Sequence, residues 1–151
     1  MIIGKKAKNI KENKAQDYIF GYCIVNDISE RSWQKDRGGQ WIKGKSIAGP
    51  CGPILVTKDE IKDINNINLT LDVNGEKRQN GNTGRMIFNF NFLLSHISQF
   101  MTLYPGTIIT TGTPAGTAME MKEPKFLNIG DKLELKVDYL GEQNHEIISN
   151  D

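Results

Sequence analysis

Leu69-Thr70-Leu71-Asp72-Val73 alternates apolar and polar residues and runs directly into Asn74-Gly75. No other stretch constrains the fold as tightly. A two-residue turn of type I′ between antiparallel strands needs positive φ at both central positions, and Asn-Gly is the strongest short signal for such a turn. The segment therefore predicts a hairpin with Leu69, Leu71 and Val73 on its buried face. A second turn is expected at Asn80-Gly81-Asn82, where Gly again sits between two Asn. "DKLELKVDY" (131–139) repeats the alternation through Leu133, Leu135 and Val137 and predicts another half-exposed strand.

Other stretches carry a helical or a buried-strand pattern. "FNFNFLLSHISQFMTL" (88–103) places Phe90, Leu93, Leu94, Ile97, Phe100 and Met101 on one face, which predicts an amphipathic helix ending before Pro105-Gly106. His96 lies beside that stripe as a boundary residue. "IKENKAQDYIFG" (10–21) carries Ile10, Ala15, Tyr18 and Ile19 near helical spacing and stops at Gly21, after which "YCIVND" (22–27) reads as a strand. "GTIITTGTP" (106–114) reads as a buried strand entering a Gly/Pro turn. Strands, hairpins and a few helices without a βαβ rhythm predict an α+β fold with an antiparallel or mixed sheet, in one domain spanning residues 1–151.

Composition removes several function classes. Nineteen basic residues against 18 acidic ones leave a net charge of +1, so no global field draws the chain to nucleic acid or to an anionic membrane. The basic opening "GKKAKNIKENK" reads as a solvated face. Cys23 and Cys51 are the only cysteines and show no CxxC spacing, so neither a zinc site nor a disulfide framework is suggested; reduced core thiols in a cytoplasmic protein are expected. The longest apolar run falls far short of the ~20 residues that span a bilayer.

Polar residues then stand where chemistry could use them. In "NDISERSWQ" (26–34), Asp27 closes an apolar strand, where it suits a hard cation such as Mg²⁺ as a carboxylate ligand. It could equally cap a short "ISERSWQ" helix. Arg31 and Gln34, three residues apart, could share a helix face and grip a planar carboxylate and a neighbouring carbonyl, or simply be exposed. Lys45 lies in the loop "IKGKSIAGPCGP" (42–53), where an ammonium could be held over an oxyanion or merely solvated. Thr113, between Gly112 and Pro114, offers a hydroxyl on a tight turn. No GxxxxGK[ST] phosphate loop is present.

Taken in order, "GYCIVNDISERSWQ", "QWIKGKSIAGPCGPILVTKDEI", "LDVNGEKRQNGNTGRMIFNF", "LYPGTIITTGTPAGTA" and "FLNIGDKLEL" resemble the C-terminal part of the fumarylacetoacetate hydrolase family over nearly the whole chain. That family includes 2-hydroxyhepta-2,4-diene-1,7-dioate isomerases and acylpyruvate hydrolases. The resemblance implies a β-roll of mixed sheets, usually in a homodimer. It matches Asp27 to a metal ligand for Mg²⁺ or Mn²⁺, and Arg31, Gln34 and Thr113 to residues that contact the substrate. Lys45 matches the active-site lysine. The substrate implied is a 2-oxo carboxylic acid, handled through a metal-stabilised enolate. The family's Glu-x-Glu pair of further metal ligands, and a lid carrying a His and a Glu, stand upstream of the segment matched by Met1-Ile2-Ile3-Gly4-Lys5. A chain incomplete at its N-terminus is therefore expected. It is either part of a metal-dependent hydrolase or isomerase, or an inactive fragment that keeps the fold and self-association.

Overall fold

A computed structural model describes residues 1–31 and 49–149. The Asn74-Gly75 turn has φ of 52° and 77° at its two residues, the positive pair that a type I′ turn requires. It joins β4 (Asn68–Val73) to β5 (Glu76–Asn82). With β6 (Lys132–Val137) and β7 (Gly141–Glu146), these strands form a four-stranded antiparallel sheet in the order β5-β4-β6-β7. Register sets Leu69 opposite Val137, Leu71 opposite Leu135 and Val73 opposite Leu133. The two alternating patterns thus share one apolar face. The smaller sheet is also antiparallel, in the order β1 (Ile2–Ile3), β2 (Ile19–Tyr22), β3 (Val56–Thr57).

The helix α1 (Phe90–Phe100) starts on an Asn89 side chain that accepts from the Phe92 amide at 2.8 Å. It packs on the 3₁₀ helix Glu12–Tyr18. Ile3, Ile19, Tyr22, Phe90, Leu94, Leu103 and Leu135 belong to one buried cluster, so both sheets and α1 close on a common core. Among the described residues, two antiparallel sheets with few helices make this the expected α+β fold. Among the described residues, no helix is long and apolar enough to cross a membrane.

Several local expectations are corrected. Asn80-Gly81-Asn82 is no turn but the end of β5, with Gly81 paired to Leu69. Gly is needed there because a Cβ would lie 2.7 Å from the Pro114 ring. Residues 12–18 coil as 3₁₀ rather than α-helix, with only Ala15 fully buried. Gly21 lies inside β2 instead of ending a helix, since any side chain would meet the Val56 carbonyl oxygen at 2.2 Å. On α1 the buried positions are Phe90, Leu94 and Ser98, while Phe100 is 71 % exposed and Met101 56 %. Ser98 is inside because its hydroxyl accepts from the Ile10 amide at 2.9 Å and donates to the Ser95 carbonyl. The stretch 106–114 holds no continuous strand: Ile2 and Ile108 form a single bridge, and the Ile109 amide donates to the Met1 carbonyl at 2.9 Å before the chain turns out to solvent.

Candidate functional site

The inner face of the larger sheet opens into a cavity of about 1060 Å³, at the upper end of the size range of small-molecule sites. Leu69, Leu71, Val73, Leu133, Leu135 and Val137 give it an apolar floor. Asp27, Arg31 and Thr113 all line it. Three sequence-predicted residues, from segments more than 80 positions apart, are thus brought around one space. Gln34 and Lys45 lie outside the described residues.

Asp27 stands at the exposed rim of this cavity. Residues 28–30 are not helical, so Asp27 is not the cap of a helix beginning at Ile28. The chain arrives there through a short antiparallel ladder: the Asn26 amide donates to the Pro50 carbonyl at 3.0 Å, and the Gly52 amide donates to the Ile24 carbonyl at 3.0 Å. Asn26 Nδ2 is buried at the cavity wall without a protein hydrogen-bond partner among the described residues. It is a donor that a ligand could use.

Two buried glutamines hold the loops on either side, and sequence reasoning overlooked both. In the register of the sheet, Gln79 faces Leu71, Leu71 faces Leu135, and Leu135 faces Gln143. One row across the sheet therefore begins and ends in an amide, each residue only 7 % exposed. Gln79 Nε2 donates to Thr113 Oγ1 and to the Pro114 carbonyl, both at 2.8 Å. Gln143 Nε2 donates to the Gly52 carbonyl at 2.7 Å and the Pro50 carbonyl at 3.3 Å. The "TGTP" turn and the "GPCGP" loop are thus each fixed to an opposite edge of the same sheet. The signal in the sequence was an amide at an inward position of a strand, which buries only where it has partners.

Around Thr113 the backbone is further determined. Gly112 has φ of 92° and Gly116 of 109°, and a Cβ at Gly116 would lie 1.9 Å from the Arg78 carbonyl oxygen. The Glu120 carboxylate accepts from the Gly116 amide at 2.9 Å, the Thr117 amide at 3.0 Å and the Thr117 hydroxyl at 3.1 Å. These bonds, the Thr117 amide first, hold the Glu120 carboxyl below its usual range.

The two cysteines depart from expectation. Cys51 is exposed and Cys23 only partly buried, with their sulfurs 3.4 Å apart. Burial, then the hydrogen bond with Cys51, pushes the Cys23 thiol up to about 11. His96 is exposed and takes part in an aromatic row, with ring centroids 5.8 Å from Phe92 and 5.0 Å from Phe100. Among the described residues, no group of three or more His, Cys, Asp or Glu side chains is placed to hold a metal ion. Asp27 is a single carboxylate, too few ligands for a complete divalent-cation site.

Comparison with known proteins gives one consistent answer. A family model described as the C-terminal part of fumarylacetoacetate (FAA) hydrolase matches residues 1–148. A protein of Burkholderia cenocepacia provisionally named a hydrolase is 50% identical over 146 residues, covering 95% of this chain and 52% of that protein. The structure of a fumarylacetoacetate hydrolase from Exiguobacterium antarcticum superposes with a TM-score of 0.90 at 36% identity, over 99% of this chain and 54% of that one. Maleylpyruvate hydrolase from Sphingobium sp. SYK-6, solved in complex with manganese(II) ion and pyruvate, superposes with a TM-score of 0.84 at 29% identity, over 97% of this chain and 51% of that one. The chain spans about half the length of the relatives it matches.

Proposed function

The chain belongs to the fumarylacetoacetate hydrolase family, and from that premise we propose that its cavity binds 2-oxo carboxylic acids of the acylpyruvate type, as part of a divalent-metal hydrolase or isomerase. The observation that carries this reading is the gathering of Asp27, Arg31 and Thr113 around one apolar-floored space. A guanidinium is the side chain best shaped for a planar carboxylate, because its fork donates two parallel hydrogen bonds. Arg31 takes that role. Thr113 Oγ1 accepts from Gln79 at 2.8 Å, which leaves its own proton to donate to a ligand oxygen. The 2-oxo group is that acceptor. Asn26 Nδ2 adds a donor at the wall, and the Leu71 and Leu135 side chains receive the acyl tail.

Asp27 is the carboxylate this chain offers to Mg²⁺ or Mn²⁺. Gln34 and Lys45 keep the roles the resemblance gives them, contact with the substrate and positive charge beside an enolate. The lack of a three-carboxylate group among the described residues favours a second reading, in which this chain binds the acid but does not turn it over.

One experiment separates these readings. Pyruvate is titrated into the protein by calorimetry with and without Mn²⁺, and 2,4-dioxopentanoate turnover is followed by loss of its enol absorbance. Pyruvate binding that weakens by roughly 1.5 to 3 kcal/mol in Arg31→Lys, together with turnover, supports the enzyme. Binding without turnover supports the second reading. No binding of pyruvate under either condition rejects both.

A further inference from the structure

Cys23 and Cys51 enclose the whole of the segment that supplies Asp27, Arg31, Gln34 and Lys45. Their sulfurs are 3.4 Å apart across a separation of 28 residues. We propose that this thiol pair is a redox modification site, closing to a reversible disulfide that ties together the two ends of the site-bearing segment.

The backbone is already registered for the bond. Val25 stands opposite Cys51 in an antiparallel bridge, and the hydrogen bonds from Asn26 to Pro50 and from Gly52 to Ile24 hold the two strands on either side of it. Cys23 and Cys51 are then diagonal neighbours across the ladder. The sulfurs have only to close from 3.4 Å to the ~2.05 Å of a disulfide. Gln143 adds to the fixation from outside, since it holds the Pro50 and Gly52 carbonyls on both sides of Cys51.

The two thiols differ in a way that assigns their parts. Cys51 is exposed and meets an oxidant first; Cys23 lines the cavity and is less accessible. With a hydroperoxide as oxidant, the Cys51 thiolate attacks the peroxide oxygen, the O–O bond breaks, and a sulfenic acid and water (or an alcohol) result. The Cys23 sulfur then attacks the Cys51 sulfur, the S–O bond breaks, and hydroxide leaves as water with the proton that Cys23 gives up. Two thiols are oxidised and one peroxide is reduced. The raised Cys23 thiol is the poorer group to meet the peroxide, because the reacting species is the thiolate; held 3.4 Å from Cys51, it resolves the sulfenic acid before a trap from solution reaches it. A dithiol reductant reverses the bond by exchange.

The consequence for function rests on the reading of the cavity as a 2-oxo acid site; the bond itself does not. Asp27 follows Cys23 by four residues, and the rim it forms is fixed at one end by this pair. A covalent tie restricts that segment in the unfolded chain as well as the folded one.

The full chain is reduced, freed of reductant, exposed to hydrogen peroxide and quenched with an alkylating agent. The expected product is lighter by two hydrogen atoms, takes up no alkyl group, and yields on digestion one cross-linked pair of peptides containing Cys23 and Cys51. Its melting temperature rises by roughly 5 to 15 °C, and dithiothreitol restores the original value. In Cys23→Ser, dimedone traps Cys51 as the sulfenic acid, whereas in the parent chain the trap captures little. Two alkylatable thiols after peroxide, a persistent dimedone adduct on Cys51 in the parent chain, or cross-links only between chains would overturn the proposal. Pyruvate affinity measured on both redox forms tests the regulatory consequence separately. An unchanged affinity removes the control of binding and leaves the disulfide standing.

Discussion

Gln79→Leu should loosen the "TGTP" turn while leaving the sheet intact. Leucine keeps much of the volume at a position only 7 % exposed and still faces Leu71 across the ladder. What disappears is a donor that makes two bonds of 2.8 Å, to Thr113 Oγ1 and the Pro114 carbonyl. Each such bond is worth about 0.5 to 1.5 kcal/mol net. Thr113 is exposed and Pro114 half-buried, so water can reach the orphaned acceptors and the larger penalties for sealed groups do not apply. The sum is a loss of about 1 to 3 kcal/mol, or roughly 3 to 10 °C in Tm for a domain of this length. Gln79→Glu sharpens the test. The introduced carboxylate would be buried against the Pro114 carbonyl, an acceptor with no proton to give, so its pKa in the folded state rises above the unfolded value. A folded state that binds more protons gains stability as pH falls. The Gln79→Glu variant should therefore recover stability on acidification through that folded pKa, relative to the parent protein. Differential scanning calorimetry across pH reads both effects. A Leu variant that melts within about one degree of the parent would refute the clamp.

Gly75→Val puts a β-branched residue at φ of 77° and should cost about 1 to 3 kcal/mol; an unchanged melting temperature would contradict the strain argument. The Glu120 carboxyl is held low by the Thr117 and Gly116 amides, so its contribution is present above the ordinary value of 4.5 and is lost as pH falls through the depressed folded value. A carboxyl titration by NMR with an ordinary midpoint would refute the capping role. If Asp27 is the only ligand, Mg²⁺ at its dissociation constant adds ~0.4 kcal/mol and shifts Tm by about one degree. A shift of five degrees or so that Asp27→Asn abolishes would mean that residues outside the described set complete the site. Ile87 is 92 % exposed, and Phe88, Phe100, Met101 and Tyr104 are each more than half exposed; the protein is expected to self-associate, and a clean monomer in sedimentation at micromolar concentration would count against it.

What was legible in the sequence was local. Asn74-Gly75 specifies its own φ values, so the hairpin can be read without knowing what it pairs with. The alternation of Leu69, Leu71 and Val73 with that of Leu133, Leu135 and Val137 likewise marks the cavity floor. The polar residues Asp27, Arg31 and Thr113 could be singled out because each stands at a break in a pattern: a strand end, a turn of a short helix, a Gly/Pro turn. What the pattern could not give was register. Gly81 looks like a turn glycine until Pro114 is found where its side chain would be. Ser98 looks like a polar break in a helical stripe until the Ile10 amide arrives to meet it.

The same limit explains the glutamines. Gln79 and Gln143 are ordinary amides in sequence, and each becomes a clamp only because β4 and β6 align them at opposite ends of one row. An unpaired amide in that row would be expensive to bury, so the sheet edge is stable only when a loop carbonyl or hydroxyl is seated on it. The folding of the sheet and the placement of the loops are then one event. The "TGTP" turn and the "GPCGP" loop are brought to the cavity by the register of strands to which neither belongs. This arrangement gives a direct expectation for loss of both clamps together. Gln79 and Gln143 share no partner and stand at opposite edges of the sheet, so the stability costs of replacing them by leucine should add to within about 0.5 kcal/mol. Costs that fall well short of additive would show that the two loops communicate across the cavity rather than being held independently by the sheet.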